Sequence, residues 1–176
     1  MEQPENPKRS EDTPASGILS LNRETARPDE VDRKCVLVID KDLPLGVIAN
    51  TAAVLALSLG KQHPEMIGPD LLDQKGDSHL GITTLPVPIL KGTRDSLLAL
   101  REKIRASELD LPESDLPESG LTVVDVISAT SSTRSYDEYA RVLATTRTSE
   151  LAYYGIALLG SKKLVTRLTG NLGLLR

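Results

Sequence analysis

The sequence predicts an α/β fold: a mixed, mostly parallel sheet with helices on both faces. Three observations predict it. Cys35-Val36-Leu37-Val38-Ile39 is a continuous apolar run, and a strand without polar alternation is one buried on both sides. Strand-like and helix-like segments alternate downstream of it, the pattern of layered α/β domains. The apolar content of 39% comes mainly from Leu, Val, Ile and Ala, with no Phe or Trp, and aliphatic side chains suit helices packed on β-branched strands.

The elements follow in order. The first strand ends at Asp40, and Asp40 to Pro44 form a turn with Pro44 well placed at a helix start. Gly46 to Leu59 is then a helix, stopped by Gly60. It is apolar nearly all round, interrupted by Asn50, Thr51 and Ser58, so burial on most sides is expected. Met66 to Leu72 and Leu80 to Leu85 read as two short strands of a hairpin around residues 73–77. Val87 to Leu90 is a further strand, and Pro86 and Pro88, which cannot donate to a ladder, place it at an edge or a strand entrance. Thr93 caps a helix to about Ala106, with Leu97, Leu98, Leu100 and Ile104 on its apolar face. Leu121 to Ile127 is the next strand, Asp137 to Leu143 a short helix, Leu151 to Leu159 the last strand, and Gly160-Ser161 opens a final helix ending near Gly170.

Two segments stand apart. Residues 1–32 carry eight acidic and four basic residues, which accounts for the whole net charge of −4. Their apolar residues gather at Ile18, Leu19 and Leu21, too little to offset ordering entropy, so an acidic, disordered tail is expected. Residues 106–119 hold five acids, no base and a tandem Asp-Leu-Pro-Glu-Ser repeat, which reads as a solvated acidic loop inserted in a domain of residues 33–176.

The composition and motifs exclude several classes. A single cysteine, Cys35, rules out an internal disulfide and fits a reducing compartment. No apolar run in the first thirty residues resembles a signal peptide, and Val47 to Leu59 is short of the roughly 20 residues a membrane span needs. A cytoplasmic protein with no membrane partner is expected. With four Tyr as the sole aromatics, base-stacking platforms are scarce. No Walker loop, Rossmann glycine fingerprint, Gly-x-Ser-x-Gly elbow or metal-ligand spacing occurs, so no metal is expected and no cofactor is implied.

The opening strand and turn, Lys34-Cys35-Val36-Leu37-Val38-Ile39-Asp40-Lys41-Asp42-Leu43-Pro44-Leu45-Gly46, with the small-residue helix after it, resemble the start of class II peptidyl-tRNA hydrolases. Gly155 to Gly160, leading through Leu164 to Gly170 and on to Leu175, resembles their closing strand and helix, and Thr122 to Ile127 sits where their third motif strand falls. The middle, with Ile67-Gly68-Pro69-Asp70 and Gly81 to Lys91, resembles an uncharacterised family, a diverged relative of the same fold without assigned activity. The resemblance spans about residues 33–176 and implies a peptidyl-tRNA hydrolase-like fold. It does not carry the catalytic residues with it. Where the hydrolases place lysines after the glycine matching Gly46, this chain has Val47, Ile48 and Ala49; their loop aspartate falls at Ser128, and Ser132 or Thr133 stands for their threonine.

The candidate site lies near the carboxyl strand ends, where ligands of open α/β sheets bind. Asp40 and Asp42 form a carboxylate pair or else cap the turn. Asn50 and Thr51 line a crevice, or Asn50 is a buried amide satisfied by backbone. Ser128 to Thr133 places five hydroxyls in six residues, either a polar lining, with Ser128, Ser132 and Thr133 as candidates, or a loop that satisfies itself. His79 near Asp73 and Asp77 is a turn histidine before it is a metal ligand. His63-Pro64 is a loop signal, and Cys35 a buried, inert thiol.

Three functions stay open on these residues. The first is a binding or enzymatic role toward a small-molecule ligand in the crevice between the first helix and residues 128–133. The second is an unconventional peptidyl-tRNA hydrolase holding tRNA through Lys162, Lys163 and Arg167. The third is a non-enzymatic interaction module, such as a homodimer, using the tail and the acidic repeat.

Overall fold

A computed structural model describes residues 33–110 and 120–176, with side chains followed through Ala106 and again from Gly120. The expected disordered tail and residues 111–119 of the acidic loop lie outside the described residues.

Six strands and four α-helices make up the described chain: β1 (Arg33–Asp40), α1 (Leu45–Gln62), β2 (Leu71–Leu72), β3 (Ser78–His79), β4 (Ile89–Gly92), α2 (Arg94–Asp110), β5 (Thr122–Ile127), α3 (Tyr136–Thr145), β6 (Tyr153–Ser161) and α4 (Lys162–Thr169). The main sheet has the order β4-β1-β6-β5. Burial falls where the apolar run predicts it: Cys35 to Ile39 are at most 1% exposed. Alternate residues of β1 serve opposite layers. Val36 and Val38 pack with Leu97 and Ile104 of α2 and Leu164, Val165 and Leu168 of α4. Cys35, Leu37 and Ile39 pack with Leu55 and Leu59 of α1 and with Met66. Helices therefore cover both faces, two on one side and α1 by itself on the other.

The sheet is mixed, but its pairing is mostly antiparallel. β1 and β4 are parallel, whereas β6 runs antiparallel to both β1 and β5. A parallel return needs a crossover element packed on the sheet. Between β5 and β6 that element is missing, because α3 has no buried residue and lies off the sheet. α1, which buries Thr51, Leu55 and Leu59, is the crossover of the parallel pair β1 and β4, and α2, with Leu97, Leu100 and Ile104 buried, packs on the opposite face.

Other boundaries differ for local reasons. α1 passes through Gly60 to Gln62, with His63 at the C-cap. It is not buried all round: Thr51, Leu55 and Leu59 form its buried stripe, while Leu45 is 81% and Leu57 75% exposed. Among the described residues no second helix flanks α1 on its face, so its outer side is exposed there. Its 18 residues suffice by length and composition for a membrane span, and Thr51, Leu55 and Leu59 seat it on the sheet. The expected hairpin reduces to two-residue strands plus a bridge between Ile67 and Thr83, with Gly76 at φ 90° in its turn. Leu71, Leu72, Leu80 and Ile82 are exposed there, so no buried face holds a longer ladder together. β4 starts after Pro88, as its prolines require, and forms one edge of the sheet. α2 opens with Thr93 and Ser96 exchanging cap bonds and runs to Asp110, so the first residues of the expected loop are helical.

His63, which the sequence marks as a loop signal alone, ties three elements together. Its Nε2 lies 2.7 Å from Thr122 Oγ1 at the start of β5, and its Nδ1 is 3.1 Å from Arg33 Nη2 at the start of β1. Arg33 also donates to Glu65 Oε1 at 2.9 Å. That bond, before all other influences, lowers the Glu65 carboxyl to about 2. Its stabilisation is complete above the ordinary carboxylate pKa and lost as pH falls through about 2. Glu65 is 45% exposed, so solvent screening limits the pair to about 0.2–1 kcal/mol. Glu65→Gln lowers stability by that amount near neutral pH, and the difference from wild type disappears toward pH 2 in urea titrations.

α1 rests on β6 at Gly155. A Cβ there would stand 2.9 Å from Thr51 Cγ2, 3.1 Å from Leu55 Cδ1 and 3.2 Å from the Val38 carbonyl. Gly155→Ala therefore lifts α1 and costs about 1–3 kcal/mol. Because Thr51 supplies the nearest atom, Thr51→Ala costs less in the Gly155→Ala background than in wild type, a coupling that a double-mutant cycle in denaturant measures.

Candidate ligand crevice

The crevice is built where β5 gives way to α3. Beyond Ile127 the chain makes a 3₁₀ turn, Ser128–Ser131, anchored by Ser128 N–H donating to the Ala152 carbonyl at 2.8 Å. The hydroxyls of this loop turn inward. Thr130 donates to the Ile127 carbonyl at 2.9 Å, and Ser132 and Thr133 both donate to the Ala129 carbonyl, at 3.2 and 2.8 Å. Local hydroxyl-to-carbonyl bonds of this kind stiffen a loop, and their oxygens keep lone pairs free to accept. Ser135 then caps α3 by accepting from Glu138 N–H, while Glu138 Oε2 accepts from Arg134 N–H at 2.7 Å. The cap directs Tyr136 and Tyr139 to one side, with ring centroids 5.9 Å apart.

Facing this turn, Val54 and Ser58 of α1 form the opposite wall. Between them lies a crevice of about 490 Å³ lined also by Val124, Asp125 and Val126 of β5, Thr130, Thr133, Arg134, Ser135 and the two tyrosines. Asp125 is held by Arg101 Nε at 3.2 Å, each side chain about a quarter exposed. The Tyr139 phenol is pushed above its ordinary range, chiefly by burial and then by the Asp125 carboxylate. It is a neutral hydroxyl at neutral pH.

The seven candidate residues from the sequence are dispersed around this end of the sheet. Thr133 lines the crevice. Asp40 accepts Asp42 N–H at 3.1 Å in a local turn, and Asp42 pairs with Lys41 at 2.7 Å, so both carboxylates act in the turn. Asn50 is exposed, not a buried amide, and Thr51 is 1% exposed against the sheet. Ser128 is half-buried and Ser132 exposed. Among the described residues no group of three or more His, Cys, Asp or Glu is placed to hold a metal ion. Sequence reasoning missed Val54, Ser58, Asp125, Arg134 and the tyrosines. Tyr136 and Tyr139 carried a signal: two of four aromatics three residues apart lie on one helix face.

A second hollow, about 720 Å³, separates α1 from residues 66–67 and 82–87. Its walls are Leu57, Leu59, Met66, Ile67, Ile82 and Val87, with Cys35 at its floor. It is apolar and contains no acid or base except Lys61.

Comparison with known proteins follows the same 33–176 boundary. The family described as "protein of unknown function (DUF2000)" matches residues 33–176. The chain belongs to the DUF2000 family. A solved structure of the protein of unknown function Atu0240 from Agrobacterium tumefaciens strain C58 is similar to it, with 20% sequence identity and a TM-score of 0.68. The likeness covers 81% of this chain and 97% of that one, and at such identity it concerns the fold. No curated protein matches.

The crevice of this DUF2000 chain mixes apolar and polar groups. It offers apolar walls, hydroxyl acceptors, phenol donors and one guanidinium, but neither histidine lines it and its carboxylate is engaged by Arg101. Among the described residues that line it, no histidine stands beside a hydroxyl. Cys35 is no substitute, since burial pushes its thiol up to about 11, against the lowering influence of Arg33. Cys35 in the DUF2000 chain stays unreactive toward a thiol reagent at pH 8 until denaturant unfolds the protein, and titration of modification against unfolding checks this.

Proposed function

We propose that this DUF2000 chain is a ligand-binding protein, built on a class II peptidyl-tRNA hydrolase-like frame and holding a small organic ligand in the crevice between α1 and residues 130–139. The observation that carries the reading is convergence. An open hollow of about 490 Å³ brings together an arginine, four serine and threonine hydroxyls and two tyrosines over an apolar wall. That size and mix of apolar lining with a few directed polar groups are those of small-molecule sites. The frame is supported by the order of the opening strand, turn and helix and the closing strand and helix, from which the hydrolases' lysines are absent at Val47, Ile48 and Ala49. The tRNA reading relies on Lys162, Lys163 and Arg167, which belong to α4, on the sheet face opposite α1. No observation joins those cations to the crevice.

A fragment library screened by backbone amide NMR tests the proposal. Bound fragments are expected to shift amides of Val54, Ser58, residues 124–126 and residues 130–139. Ser58→Tyr fills the crevice and abolishes those shifts, with a melting temperature within about 2–4 °C of wild type. Fragments that shift only residues around the apolar hollow, or that still bind Ser58→Tyr, would overturn it.

A further inference from the structure

Unpaired sheet edges leave backbone donors and acceptors open, and folds cover them. On β4 the cover is present. Leu90 bridges Leu174, Lys91 N–H donates to the Gly173 carbonyl at 2.9 Å, and Leu175 N–H donates to the Ile89 carbonyl at 2.9 Å. The other edge of the sheet is β5. Apart from its ladder with β6, no backbone bond among the described residues involves Thr122 to Val126. Alternate residues of such a strand direct both N–H and C=O away from the partner strand.

Those groups open into the crevice. Val124, Asp125 and Val126 all line it. Consecutive strand residues point to opposite faces, so a hollow that touches three in succession meets the strand at its backbone edge. α1 stands on one side of that edge and the 130–139 segment on the other.

We propose that the crevice takes an extended peptide segment, added as a strand along β5, with an acidic side chain or a terminal carboxylate of the peptide held by Arg134. The inference rests on the ligand-binding reading of the same crevice and names the class of ligand.

Three observations select this occupant. β5 has α1 on one side and residues 130–139 on the other, which suits a single extended segment at the ~4.8 Å spacing of a ladder better than the edge of a second copy carrying the same walls. An isolated extended segment can enter. Its side chains alternate between the two walls: one set meets Val54, the other meets Tyr136 and Tyr139. The three lining residues of β5 allow about three to four peptide residues at ~3.3 Å each. Finally, Arg134 is exposed and has no ion pair among the described residues, which supplies the charge complement for a carboxylate.

The test uses the full chain and an arrayed library of fluorescein-labelled octapeptides, degenerate at each position, read by fluorescence anisotropy. Peptides with β-branched residues and one acidic residue or a free carboxyl terminus are expected to bind. Arg134→Glu weakens them by about tenfold or more and moves the preference to basic residues. N-methylation of alternate peptide amides abolishes binding, whereas methylation of the intervening amides does not, the signature of a one-sided ladder. Binding indifferent to N-methylation overturns the strand geometry, and an unchanged preference in Arg134→Glu overturns the role of the arginine. If fragments bind the crevice and no octapeptide does, this inference fails while the ligand-binding reading stands. If neither binds, both fail. A β5-mediated dimer in sedimentation, lost in Ser58→Tyr, would replace the peptide with a second copy and overturn the proposal.

Discussion

The seating of α1 on Gly155 is the constraint on which this structure depends. Among the described residues one face of the sheet has two helices, and the other has α1 by itself. A single helix about 10 Å wide cannot cover four strands, so its position decides which parts of that face stay open. A glycine under Thr51 and Leu55 lets α1 descend onto the sheet. From there its two flanks form one wall of the crevice beside β5 and one wall of the apolar hollow above Cys35. Both hollows are consequences of one close approach.

The second organising fact is the antiparallel placement of β6 between β1 and β5. It gives the most buried strand of the closing segment two partners and leaves β5 at the edge. The same arrangement sends the chain out of β5 into a stiff hydroxyl turn and an unburied helix, α3, instead of a packed crossover. α3 is therefore free to present Tyr136 and Tyr139 to the edge of the sheet. The asymmetry between edges follows, with β4 sealed by the carboxyl-terminal segment and β5 facing the crevice.

The chemistry assembled there suits recognition. Hydroxyls bonded to carbonyls in their own turn are held in place, and a carboxylate paired with Arg101 is not available as a base. A binding site of this kind gains from stiffness, since a preformed wall loses little freedom when a ligand arrives.

Several features were legible in the sequence because each depends on a residue's nearest neighbours along the chain. The apolar run of β1, the prolines ahead of β4, the Thr93 cap, the start of the last helix at Ser161 and the burial of Cys35 all follow from local pattern and elementary burial. The layered α/β class followed as well, whereas of the residues named for a crevice beside the first helix only Thr133 lines the hollow there. The sequence could not say which strands become neighbours, because antiparallel and parallel returns share the same local pattern when the connecting helix is short. It also suggested an α1 buried on most sides, since apolarity records what a helix can bury and not what is available to cover it. The free edge of β5, the wall made by Val54 and Ser58 and the meeting of Arg134 with two tyrosines belong to tertiary structure. They arise from segments some 70 residues apart, brought together by the seating of one helix on one glycine.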